Sequence, residues 1–153
     1  MTQHGKISEN LFCEGYNCAQ AVLCAFEDVT GLNRENAALI ASSFGGGLAR
    51  MREVCGAVSG AAIVLGLARG YSSPKDHDAK TAHYHLVQEF AARFREENGS
   101  IICRELLGGA AGHGPDPEKR SESYYRKRPC PALVRQAAEI LDSLLAEAES
   151  AKN

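Results

Sequence analysis

The sequence lacks the features that mark nucleic-acid-binding, membrane-spanning and secreted proteins. Its 153 residues carry a net charge of −2 at pH 7, so the basic excess that nucleic-acid binding requires is missing. The apolar stretch 57–68 is too short to cross a bilayer. Residues 1–10 are polar and lack the apolar segment of a signal peptide. We therefore expect a cytoplasmic protein with no membrane segment and no nucleic-acid partner.

Strand signals and the usual cysteine motifs are also missing. Sustained two-residue alternation is absent, and the β-branched residues fall inside helical patterns, so the sequence predicts no strand. Six cysteines are present without a C-x-x-C pair, zinc-finger spacing or haem-attachment motif. In a reducing compartment, six cysteines indicate metal or redox chemistry before structural disulfides.

Helix start and stop signals divide the chain into consecutive helices. The predicted segments are 8–14, 18–30, 34–43, 52–69, 74–98, 101–107, 117–127 and 130–149. Asn17 and Gln20 form a capping-box pattern at the second of them. The segment 52–69 is rich in small residues and is expected to be the central, most buried helix, while the tail 150–153 is expected to fray. The length and the apolar content of 44% predict one domain, 1–153, an all-α compact bundle with its core in 8–149.

Four of the six cysteines stand at or beside the starts of predicted helices. These are Cys18, Cys55, Cys103 and Cys130. Unpaired N–H groups and the positive end of the helix dipole favour a thiolate there. Cys13 and Cys24 fall inside helical segments instead. Because tens of residues separate the four, the spacing alone leaves open whether they form one site or are unrelated buried cysteines.

Other polar features have more ordinary interpretations. The run Gly45–Gly47 would suit an anion nest with Arg50 and Arg52, but close packing is the commoner use of such glycines. The basic aromatic patch 124–128 is predicted to be surface. Three histidines are expected to face solvent, and two more diverge on one helix and cannot chelate together. They are His4, His77 and His113, and then His83 and His85.

Five runs in order resemble the redox-active family named for its C_GCAxxG_C_C cysteine pattern. They are residues 15–22, 44–47, 53–60, 99–108 and 130–134. The resemblance implies a small helical protein whose hallmark cysteines are Cys18, Cys55, Cys103 and Cys130. The chain departs from the family at Ala49, where the glycine-rich loop often continues with glycine. The segment 109–128 looks specific to this member.

Three functions are consistent with these observations. The first is an iron–sulfur cluster held by the four hallmark cysteines for electron transfer or redox sensing, an interpretation that resemblance to a module of split-Soret cytochromes favours. The second is a thiol–disulfide redox protein that cycles two of them. The third is a non-enzymatic helical partner protein with structural zinc or no metal. The sequence leaves open whether the protein is an enzyme and identifies no redox partner, and its small-residue helices are compatible with a homodimer.

Overall fold

The computed structural model describes residues 1–151, and their regular secondary structure is helical. The α-helices are α1 (Gln3–Cys13), α2 (Cys18–Ala25), α3 (Glu27–Thr30), α4 (Arg34–Ala41), α5 (Gly56–Arg69), α6 (His77–Asn98), α7 (Cys103–Leu107), α8 (Glu122–Lys127) and α9 (Cys130–Ala151). Short 3₁₀ turns follow α4 and α7. Over this part of the chain the only β pairing is a single bridge between Val54 and Ile102, so the all-α prediction is confirmed.

Helix α2 lies at the centre of the bundle, in contact with α1, α4, α5 and α9. Six of its eight residues are buried, whereas α5 buries seven of fourteen. The expectation that α5 is the most buried helix is therefore wrong, because its outer face meets solvent and Leu67 is 50% exposed. The two helices approach very closely, since a Cβ on Gly60 would lie 2.6 Å from the Ala19 carbonyl oxygen.

Several helix boundaries follow from local capping. Asn17 accepts a hydrogen bond from the Gln20 N–H, and the Gln20 side chain accepts from the Asn17 N–H, as the capping-box pattern predicts. Helix α1 begins earlier than predicted because Thr2, not Ser8, caps it. Ser8 is instead buried and donates to the Val134 carbonyl. The last helix runs through Ala151, and the remainder of the predicted fraying tail lies outside the described residues.

The segment 117–127 does not form the predicted helix over its full length. Only Glu122–Lys127 is helical, with Ser121 as its cap. Residues 116–120 are polar apart from Pro117, so they offer no apolar stripe that could pack a helix against the core. Residues 111–121 instead form an irregular segment with a bend at residues 114–116, which we call the strap.

The prediction that His4 faces solvent is wrong. Its ring stacks on Phe26 at a centroid distance of 4.0 Å. Its Nδ1 lies 2.7 Å from Asp142 and its Nε2 lies 2.9 Å from Asp28. The side chain therefore links α1 to α3 and α9.

Candidate functional site

The four hallmark cysteines line one cavity of about 280 Å³. Cys18, Cys103 and Cys130 are the first residues of their helices, and Cys55 directly precedes α5. The other two cysteines do not line the cavity: Cys13 is exposed, and the buried Cys24 lies against the Arg34 carbonyl. All six thiols are free.

Backbone N–H groups point at two of the sulfurs. The Cys18 sulfur accepts from Gly46 and Ala19, and the Cys55 sulfur accepts from Ala57 and Val58. The N–H groups of Ala19 and Ala57, at the starts of α2 and α5, thus point at sulfurs as the sequence predicts, while the Val58 N–H also donates to the Cys55 carbonyl at 3.0 Å.

Burial nevertheless favours the protonated form of three of the thiols. Burial raises the pKa of Cys18 above its ordinary value even though N–H groups oppose the shift. Burial, reinforced by the neighbouring Cys18, raises the pKa of Cys55 well above that value. Burial also raises the pKa of Cys130 to about 12, with Arg128 opposing. The expectation that helix starts yield thiolates is wrong for these three, because desolvation of the charged form outweighs the N–H donors.

Residues 46–52 form a left-handed turn beside the cysteines. Gly46 and Gly47 have positive φ, and so do four non-glycine residues, which rarely adopt this left-handed backbone conformation. They are Leu48, Ala49, Arg50 and Arg52, with φ of 68°, 46°, 64° and 61°. Each such residue costs about 1–2 kcal/mol. The turn closes through hydrogen bonds such as Arg52 N–H to Gly46 O at 3.1 Å, and it carries Arg50 and Arg52 to the cavity.

Glycines permit the close contacts around the thiols. A Cβ on Gly45 would lie 2.6 Å from the Asn17 side chain, and one on Gly47 would lie 2.7 Å from Cys103 Cβ. A Cβ on Gly56 would collide with the Cys18 sulfur. The glycine run therefore serves close packing, the commoner of the two uses considered for it, while one of its N–H groups also contacts a sulfur.

Four arginines line the same cavity. They are Arg50, Arg52, Arg120 and Arg128. Arg52 and Arg128 are only 5% and 8% exposed. Arg52 Nη1 lies 3.7 Å from Cys103 Sγ, and Arg128 donates a hydrogen bond to Cys130.

Two residues of the basic aromatic patch are therefore part of the site, contrary to their predicted place on the surface, whereas Arg126 and Lys127 are exposed as predicted. Arg128 stacks over Tyr124 at 4.4 Å, and both residues line the cavity. The one sequence signal that could have revealed this is position, since Arg128 stands two residues before a hallmark cysteine.

The strap covers the cavity and is fastened by arginine side chains. Arg50 Nη1 donates to Gly114 O at 2.7 Å and also to the Asp116 carbonyl. Arg52 Nε donates to Gly112 O at 2.9 Å. Glu118 forms ion pairs with Arg128 and Arg50.

Over residues 1–151, no three His, Cys, Asp or Glu side chains are grouped in a way that could hold a metal ion. In the same range, no helix is both long and apolar enough to cross a membrane.

These features define a class: an all-α thiol protein in which helix starts from distant parts of the chain bring free cysteines to one cavity. The family model described as "Putative redox-active protein (C_GCAxxG_C_C)" matches residues 16–144, and the chain belongs to this family. Searches of curated proteins and of solved structures gave no match.

Proposed function

We propose that Cys18, Cys55, Cys103 and Cys130 bind an iron–sulfur cluster that serves electron transfer or redox sensing. The observation that carries the proposal is that four free thiols line one cavity while N–H and guanidinium groups point at their sulfurs. Iron–sulfur clusters are held by four cysteine thiolates, and hydrogen bonds to sulfur tune their potentials. A bound cluster would supply reversible one-electron transfer.

The charges around the cavity suit such a ligand set. Four thiolates need positive compensation, because like charges raise one another's pKa. Arg52 beside Cys103 and Arg128 beside Cys130 are buried cations placed to supply part of it. Binding of metal would remove the thiol protons that burial otherwise retains.

The same observations disfavour the two other functions. A dithiol enzyme needs an attacking thiolate, and burial raises the pKa of three of these thiols. Structural zinc needs ligands grouped around a single ion, an arrangement that the described residues lack. An iron–sulfur cluster holds its cysteine ligands farther apart than a single zinc ion does, which is compatible with four cysteines that line one cavity.

The test is the iron, sulfide and zinc content of protein purified without air. We expect iron and sulfide with visible absorption in the wild type, and loss of both in Cys55→Ala. The matched control is Cys24→Ala, which removes an equally buried free thiol outside the cavity and should keep both, as should Cys13→Ala. Iron and sulfide retained in folded Cys55→Ala would contradict the proposal. Zinc alone, or reversible loss of two thiols without metal, would replace it with one of the alternatives.

A further inference from the structure

We infer that Arg50 and Arg128 form an anion subsite beside the thiols, where a small molecule bearing a carboxylate binds by displacing Glu118. The subsite goes beyond the proposed function and does not require a cluster. It assigns a chemical class of ligand to the outer part of the cavity, under the strap.

The first argument is charge. Among the residues lining the cavity, four arginines face one carboxylate, that of Glu118. Arg120 already donates to the carbonyls of Phe12 and Tyr16, and Arg52 to the Gly112 carbonyl and the Cys103 sulfur. The cations left to meet an entering anion are those that hold Glu118, and buried cations attract anions more strongly than exposed ones do.

The second argument is that the two arginines are fixed while the carboxylate is accessible. The Arg128 side chain is 5% exposed and the Arg50 side chain 13%, but the Glu118 side chain is 41% exposed. Arg128 is held by stacking on Tyr124, and Arg50 by the left-handed turn and the strap carbonyls. An entering carboxylate would therefore meet preorganised donors, with Glu118 as the group that gives way.

The third argument is how the strap presents Glu118. A Cβ on Gly112 would lie 2.6 Å from Glu118 Oε1 and 2.8 Å from Arg50 Nη2, so the backbone closes tightly around this ion pair. Among the backbone–backbone hydrogen bonds of the described chain, no N–H or carbonyl of residues 112–120 takes part. Arginine side chains hold this stretch instead, so Glu118 can leave without breaking a backbone ladder.

Paired alkylating reagents test the subsite. Iodoacetate and iodoacetamide form the same S–C bond and release the same iodide, but only iodoacetate carries a carboxylate. The ratio of their rate constants at the hallmark cysteines, followed by mass spectrometry on metal-free protein, therefore reports attraction of the anion. Changes in thiol pKa or accessibility act on both reagents and cancel in the ratio.

We expect Glu118→Gln to raise the iodoacetate-to-iodoacetamide ratio by about tenfold, the lower end of what charged clefts achieve. Arg50→Gln should lower the ratio. The matched control is Glu122→Gln, which removes the same charge from an exposed position nearby in α8 and should leave the ratio unchanged. In the wild type, acetate at constant ionic strength should slow both reagents.

An unchanged ratio in both Glu118→Gln and Arg50→Gln would overturn the inference. So would failure of acetate to protect the wild type, a measurement that depends on no variant. Iron and sulfide content of the same variants reports the proposed cluster separately, so the failure of one proposal cannot be mistaken for failure of the other.

Discussion

The cavity has two walls that are held in place by different means. One wall consists of the starts of α2, α5 and α9, which carry Cys18, Cys55 and Cys130. The other consists of the left-handed turn 46–52 and the strap 111–121, which carry the arginines and Glu118. Helix packing and capping fix the first wall, while side-chain hydrogen bonds and a strained backbone fix the second.

This difference separates two ways of building a site. The helix wall gains its stability from the core, since Cys55 belongs to the core and Cys18 and Cys130 pack against it. The loop wall is fastened largely by Arg50 and Arg52, whose donors reach carbonyls of the strap. We therefore expect substitutions in the helix wall to change global stability and substitutions in the loop wall to change local opening.

The largest effect is expected from a methyl group added to the helix wall. Gly56→Ala places a Cβ against the Cys18 sulfur and 2.8 Å from the Phe44 carbonyl, so it should cost about 1–3 kcal/mol. The matched control is Gly66→Ala in the same helix, where nothing lies within 4 Å, and it should stabilise by about 0.5–1 kcal/mol. Urea unfolding measures both. Shifts of the same sign would mean that α2 and α5 are not packed this closely.

Removal of an arginine from the loop wall should open the strap. Arg52→Gln loses the bond to the Gly112 carbonyl, worth at least about 1.5 kcal/mol for a charged donor, so trypsin should cut after Lys119 about tenfold faster. Arg126→Gln, an exposed change of the same charge in α8, should leave that rate unchanged. Equal cleavage rates in wild type and Arg52→Gln would show that something other than this arginine holds the strap.

A change of pH should alter the stability of the helical bundle through His4, which links α1 to α3 and α9. Burial alone would lower the pKa of His4, but Asp28 and Asp142 outweigh burial and raise it above the ordinary value. Protonated His4 therefore contributes fully to the free energy of unfolding below its unfolded pKa of about 6.5. That contribution is lost as pH rises through the folded pKa.

The measurement is the urea midpoint of wild type and His4→Gln from pH 5.5 to pH 9. At low pH the wild type should be more stable than His4→Gln by less than about 1 kcal/mol, since Asp28 is largely exposed. This difference between the two proteins should shrink as pH rises. The exposed His85→Gln should show no such dependence. A difference that grows with pH would contradict the assignment.

The helix wall could be predicted from sequence because its signals are local. Asn17 and Gln20 specify the start of α2 within four residues. The gathering of four cysteines was an expectation from helix starts and family resemblance together. The raised pKa values of Cys18, Cys55 and Cys130 could not be foreseen, because they depend on burial by residues distant in sequence.

The loop wall escaped prediction because its signals are tertiary. Arg128 and Tyr124 resemble an ordinary basic surface until the strap and the cysteines enclose them. Residues 117–121 of the strap are predicted to be helical, since Asp116 and Pro117 form a helix-start pattern, but no apolar stripe follows them. The left-handed turn is harder still, because Leu48, Ala49 and Arg50 have no intrinsic preference for positive φ.

The smallest expected effect tests that left-handed turn at Ala49. Alanine at φ 46° costs about 1–2 kcal/mol, and glycine would remove most of this strain while losing about 0.5–1 kcal/mol of chain entropy. Ala49→Gly should therefore stabilise the protein by about 0.5 kcal/mol. The same substitution at the exposed Ala146 in α9 should destabilise it by about 0.5–1 kcal/mol, because that residue is already helical. Urea midpoints that move in the same direction would mean that Ala49 is not held in the left-handed region in solution, and the strain assigned to the loop wall would then be absent.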